Sequence, residues 1–177
     1  MNLFLEVLGK RADGFHEIET LMYPIDLFDS LVFRDAPHDQ VRLTCQTVTS
    51  QAFRGQSSAA TALAEQLPIG GDNLVVRAVE LVRRRSNVTR GADVRLVKRI
   101  PLAAGLAGGS SDAAAALFAA NRVWRLGLTL NELASLAAEL GSDIPFFLYG
   151  GPAVCRGRGE IIEPVAGLGA LHFVVAK

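Results

Sequence analysis

Cysteine is scarce: Cys45 and Cys155 are the only two in 177 residues. They lie far apart, follow no metal-ligand spacing and suggest no disulfide framework. A reduced, cytoplasmic setting is the expectation. An excess of charge of either sign is also missing. Eighteen Lys and Arg balance eighteen Asp and Glu, so no global field draws the chain to nucleic acid or to an anionic membrane. The one basic run, Arg83-Arg84-Arg85, ends a helical pattern, where cations complement the helix dipole. No apolar run approaches the roughly 20 residues that span a bilayer. The opening Met1–Lys10 lacks a basic head and is interrupted by Glu6, so it reads as a strand and not as a signal peptide. What is present is ordinary for a globular domain: 50% hydrophobic and 20% charged residues, in a length sufficient for one core.

The most informative stretch is Pro101–Ala116, PLAAGLAGGSSDAAAA. An alternating segment leads into it, with Val94 and Leu96 on one side and Arg95 and Val97 on the other. An alanine-rich helix opened by Ser110 and Ser111 follows. Gly105, Gly108 and Gly109 let the backbone turn sharply and approach a ligand closely. The amides of the helix's first turn, with the helix dipole behind them, would make the bend an anion site, and the commonest such anion is phosphate. Two familiar phosphate loops are absent. A Walker loop needs Gly-Lys-Ser/Thr, but Ser110 follows Gly109 directly. A dinucleotide fingerprint needs Gly-x-Gly-x-x-Gly, but the spacing is Gly105-x-x-Gly108-Gly109. A plain strand-to-helix turn whose serines cap the helix fits the spacing equally well.

Around this stretch the pattern reads as an α+β domain. Leu3, Leu5 and Val7 alternate with Phe4, Glu6 and Leu8, as in a strand buried on at least one face. Asp13-Gly14 is a turn signal that returns the chain as a hairpin or a short irregular loop. Strands follow around Ile18–Ile25, Ser30–Phe33 and Val41–Cys45. Residues 46–71 change composition and read as a surface insertion, with a short helix capped by Ser57 or Ser58 and running through Leu67. Asp72 then caps a helix with Leu74, Val75, Ala78, Val79, Leu81 and Val82 on its apolar face. A helix from Ser111 to about Leu126 is ended by Gly127. Thr129 with Glu132 forms a capping box for the next helix, which stops at Gly141. The last strands are expected at Ala153–Arg156 and Leu171–Ala176.

Pro101-x-x-x-Gly105-Leu106-x-Gly108-Gly109-Ser110-Ser111 resembles the second motif of the GHMP kinases, a superfamily of small-molecule kinases. Two further stretches resemble one branch of that superfamily, which phosphorylates the 2-hydroxyl of a cytidine diphosphate-linked methylerythritol in non-mevalonate isoprenoid synthesis. These are Asn2–Leu5 with Gly9–Glu17, and Gly141–Phe147. The resemblance implies a two-layer nucleotide-binding domain related to the ribosomal S5 domain-2 fold, over residues 1–165, with 166–177 beginning a C-terminal part. It also implies the N-terminal portion of a longer protein.

The resemblance further implies roles for particular residues. Pro101, Leu102, Ala103, Ala104, Gly105, Leu106, Ala107, Gly108, Gly109, Ser110 and Ser111 would bind the phosphates of ATP, with glycines where a side chain would collide with them. Ser110 and Ser111 would add hydroxyl contacts or hold the Mg2+ that ATP brings. Lys98 matches a position near the nucleotide; a solvated strand charge is its other reading. Asp143 would accept the proton of the substrate hydroxyl, and a turn-forming aspartate is the alternative. Asn2, Phe15 and His16 match positions that recognise the cytidine-bearing substrate, while a core Phe and a surface His are the plainer reading. The branch pairs its aspartate with a lysine in Pro-Ala-Lys-Ile/Leu-Asn-Leu. Here Met1-Asn2-Leu3 matches only the end of that run, so the chain as written is expected to be a poor kinase. Two other functions stay open: a GHMP kinase for a sugar, homoserine or mevalonate-type alcohol, and a non-catalytic nucleotide-binding module.

Overall fold

The structure is a computed structural model that describes residues 1–48 and 70–175. The expected insertion, with its helix capped by Ser57 or Ser58, lies almost entirely outside the described residues.

Asp13-Gly14 does turn the chain back. Gly14 takes φ +86°, and β1 (Asn2–Lys10) pairs antiparallel with β2 (His16–Met22). Two more antiparallel strands, β6 (Ala153–Gly157) and β7 (Ile161–Pro164), complete a sheet of order β1-β2-β6-β7. A second sheet, of order β3-β5-β4, is built from β3 (Ser30–Ala36), β4 (Val41–Thr47) and β5 (Gly91–Lys98). There β3 runs antiparallel and β4 parallel to the central β5.

Helix α1 (Leu74–Arg85) buries Val75, Val79 and Val82 against this second sheet and against α2 (Gly108–Val123). Its cap is Asn73, whose side chain accepts a hydrogen bond from the Val75 amide at 2.9 Å; Asp72, the expected cap, stands one residue too early. Helix α3 (Leu130–Leu140) opens on the expected Thr129–Glu132 capping box and stops at Gly141. A single turn, α4 (Phe146–Tyr149), plugs the first sheet: Phe146 packs with Met22, Ala153 and Cys155.

Three further expectations fail. Strand β1 is exposed at every residue, because it is the outermost strand and nothing among the described residues covers either of its faces. Residues 171–175 form no strand; they have no ladder partner, and Val174 is 98% exposed. The partner of β6 is instead Ile161–Pro164, directly across a tight turn. Helix α2 begins at Gly108, so Ser110 and Ser111 lie inside its first turn and do not cap it.

Candidate active site

The stretch between β5 and α2 is an irregular loop that the backbone dihedrals shape. Ala103, Gly105 and Ala107 all take left-handed values, φ +53°, +70° and +51°. Ala107 is the residue before the helix and supplies no side-chain cap. The first intrahelical bond is donated by the Ser111 amide to the Ala107 carbonyl at 3.0 Å. The amides of Gly108, Gly109 and Ser110 therefore have no acceptor within the helix, at the end where its dipole is positive. The Ser111 hydroxyl donates to the Gly108 carbonyl at 2.8 Å, so it faces back along this turn.

Within the loop the glycines do different jobs. A Cβ on Gly108 would lie 2.9 Å from Ile100 Cγ2 and 3.2 Å from Lys98 Nζ, so this glycine lets the helix start press onto the strand exit. Gly105 has open space around it and is needed for its left-handed φ. Gly109 would meet only Leu74, at 3.6 Å.

Gly105, Leu106, Ala107 and Ser111 line one cavity of about 430 Å³, and Asp143 lines it from the other side. Asp143 sits in the turn between α3 and α4. Its neighbours on the C-terminal side, Ile144 and Pro145, are fully buried, and the Ile144 amide donates to the Gly141 carbonyl at 3.3 Å. A rigid, buried anchor thus presents an exposed carboxylate to the cavity. Close behind it the Cys155 thiol is pushed up to about 11 by burial, with the Asp143 charge adding to the effect.

Asn2 also lines the cavity, and its side-chain amide donates to Thr20 Oγ1 at 3.0 Å. Phe15 and His16 do not. Asn2 pairs with Met22 and Lys10 with His16, so the two groups stand at opposite ends of the β1–β2 hairpin. Phe15 is neither in a core nor bare: it is 53% exposed, and the Arg158 guanidinium lies 4.9 Å from its ring centroid. Arg158 belongs to the β6–β7 turn. The next residue, Gly159, comes so near Asp143 that a Cβ there would be 3.8 Å from Oδ1. Among the described residues this turn links the Phe15 end to the Asp143 end, and the sequence pattern gave no sign of it.

Lys98 overturns its reading as a solvated charge. It is 2% exposed, and its ammonium donates to Asp29 Oδ2 and, at 2.7 Å, to Asp112 Oδ2. Burial works against its charge, yet the two carboxylates outweigh that and raise its pKa. Burial raises Asp112 from the usual carboxylate range to about 6 despite the pull of Lys98. Asp29 and Asp112 both line the cavity, and neither was singled out from the sequence.

Comparison with known proteins agrees with this architecture. Residues 73–151, which run from α1 through the loop to α4, match the family model described as GHMP kinases N terminal domain. The fold is that of a GHMP kinase N-terminal domain, in a mixed two-sheet form. More narrowly, the chain is 42% identical over all of its 177 residues to a 4-diphosphocytidyl-2-C-methyl-D-erythritol kinase of Alkaliphilus metalliredigens, covering 55% of that protein. It is 50% identical over 166 residues to the kinase of the same name from Synechococcus sp. strain CC9902, covering 93% of this chain and 48% of the relative. A crystal structure of 4-(cytidine 5'-diphospho)-2C-methyl-D-erythritol kinase superposes with a TM-score of 0.67 at 37% identity, over 93% of this chain and 52% of the other. The chain spans about half the length of the curated relatives it matches.

Proposed function

We propose that this chain forms the nucleotide-binding half of an ATP-dependent kinase acting in the cytoplasm on 4-diphosphocytidyl-2-C-methyl-D-erythritol, with residues 1–165 as its N-terminal domain and 166–177 leading into a further part. The observation that carries the reading is the shared cavity, with Gly105, Leu106, Ala107 and Ser111 of the loop and helix start on one side and Asp143 on the other. The relatives' names supply the substrate.

The residues present fit a polyphosphate. Gly105 leaves open space at the loop, and the amides of Gly108, Gly109 and Ser110 provide donors where the helix dipole favours an anion. Pro101 to Ala104 shape the approach from the strand. Among the described residues no group of three His, Cys, Asp or Glu is placed to hold a metal by itself. A Mg2+ ion would therefore rest chiefly on the nucleotide's own oxygens, with the Ser111 hydroxyl as the nearest loop candidate. Bound there, it would supply neutralisation of charge on the β- and γ-phosphates.

Asp143 accepts the proton of the 2-hydroxyl as that oxygen forms its bond to the γ-phosphorus. The bond from phosphorus to the bridging oxygen breaks, leaving ADP and the phosphate ester. Asn2 orients the acceptor at the cavity, and Phe15 with His16 receives the cytosine at the far end of the hairpin. An acceptor touching both must be elongated, as a cytidine diphosphate-linked polyol is.

In the full-length protein, Asp143→Asn should lower kcat by about 10²-fold or more while nucleotide affinity stays within about twofold, since the amide keeps the shape and loses the base. Steady-state kinetics with calorimetric ADP titration checks both; undiminished turnover would remove Asp143 from the mechanism.

A further inference from the structure

Three charged side chains meet beneath the phosphate loop; the kinase resemblance places Lys98 near the nucleotide and gives Asp29 and Asp112 no task. Asp29 precedes β3, Lys98 ends β5 and Asp112 lies early in α2. Their side chains are 3%, 3% and 7% exposed. A lysine beside a phosphate loop would ordinarily reach for phosphate. Here its ammonium donates to two buried carboxylates and is directed inward. Asp29 does more than pair with it. Its Oδ1 accepts from the backbone amides of Arg99 and, at 2.9 Å, of Ile100, the last two residues before the loop. Through Lys98 and Asp112 the same cluster grips the other end of the loop, where Gly108 presses against Ile100 and Lys98.

We propose that Asp29 is a positioning residue for the nucleotide: by fixing the amides of Arg99 and Ile100 and holding Lys98 against α2, it sets both ends of the phosphate loop before ATP arrives. This rests on the kinase reading for its ligand, but the loop's order is measurable without it. The two carboxylates are not equivalent. Asparagine at 112 still offers Lys98 an amide oxygen and leaves one ammonium facing one carboxylate. Alanine at 29 leaves two backbone amides without their acceptor and weakens the hold on Lys98.

The test uses the full-length protein as wild type and as Asp29→Ala, Asp29→Asn and Asp112→Asn. Calorimetry measures ADP and, as a probe of the acceptor site, cytidine diphosphate in the presence of saturating ADP; hydrogen exchange follows peptides covering residues 99–109 and β5. Asp29→Ala is expected to weaken ADP at least tenfold and leave cytidine diphosphate within twofold. Its loop peptides should exchange faster while β5 keeps its protection. Asp29→Asn should fall between it and wild type, and Asp112→Asn, which keeps the two amide bonds of Asp29 and an oxygen for Lys98, should weaken ADP less than Asp29→Ala does. Unchanged ADP affinity with unchanged loop exchange in Asp29→Ala overturns the proposal. So does equal loss of both ligands with exchange rising throughout, which is a merely structural role. If Asp29→Ala does not fold, Asp29→Asn is judged by the same criteria. A wild type that binds no ADP refutes the kinase reading instead, and loop exchange alone then decides whether Asp29 orders the loop.

Discussion

Ala107 holds a left-handed backbone at the start of α2, where an L-residue pays a steric penalty of about 1–2 kcal/mol. Ala107→Gly should therefore raise stability by about 0.5 kcal/mol, since relief of that strain exceeds the entropy added to the unfolded chain. Gly108→Ala should do the reverse. Its Cβ would lie 2.9 Å from Ile100 Cγ2, so overpacking should cost about 1–3 kcal/mol and push the loop off the strand. Urea denaturation of both variants reads the two signs side by side. Cys155 gives a chemical test at the same scale. Burial and the Asp143 charge hold its thiol at about 11, and the thiolate is the reactive form. Native protein at pH 8 should leave Cys155 unmodified by iodoacetamide, as read by peptide mass spectrometry, whereas denaturant should expose it.

Among the elements, α3 is the one most completely written in the local sequence. Thr129 Oγ1 accepts from the Glu132 amide at 3.3 Å, and the Glu132 carboxylate accepts from the Thr129 amide at 2.7 Å. The bond from the Thr129 amide, with the Thr129 hydroxyl adding another, pulls Glu132 below its ordinary pKa. Thr129→Ala should cost about 1 kcal/mol in thermal or urea unfolding. Signals of this kind were legible because cause and effect lie within four residues, and the Asp13-Gly14 hairpin is another case. Failures arose where the cause is distant. Period-two alternation in β1 could not reveal that β1 is the outermost described strand of its sheet. Apolar 171–175 looked like a strand, but only pairing makes one, and Ile161–Pro164 took the place beside β6. In the site, loop and aspartate were legible as motifs. Asp29, 69 residues from Lys98, belongs to the site only through folding.

At the scale of the whole molecule, an apolar ribbon is uncovered among the described residues: Leu5 and Val7 of β1 are 53% and 56% exposed on an edge strand. Such edges invite pairing with other chains. The 177-residue chain should bind the dye ANS and associate as its concentration rises, and Leu5→Lys with Val7→Lys should reduce both. Sedimentation velocity across a concentration series checks this; a monodisperse monomer with no dye binding would contradict it. The pairing of β2 with β6 carries another consequence. Thr20 sits opposite Cys155, whereas β3, β4 and β5 of the second sheet have all been made once Lys98 has. On a ribosome β2 cannot meet β6 until Ala153–Gly157 has emerged, so this sheet is joined only after all three strands of the other have been synthesised.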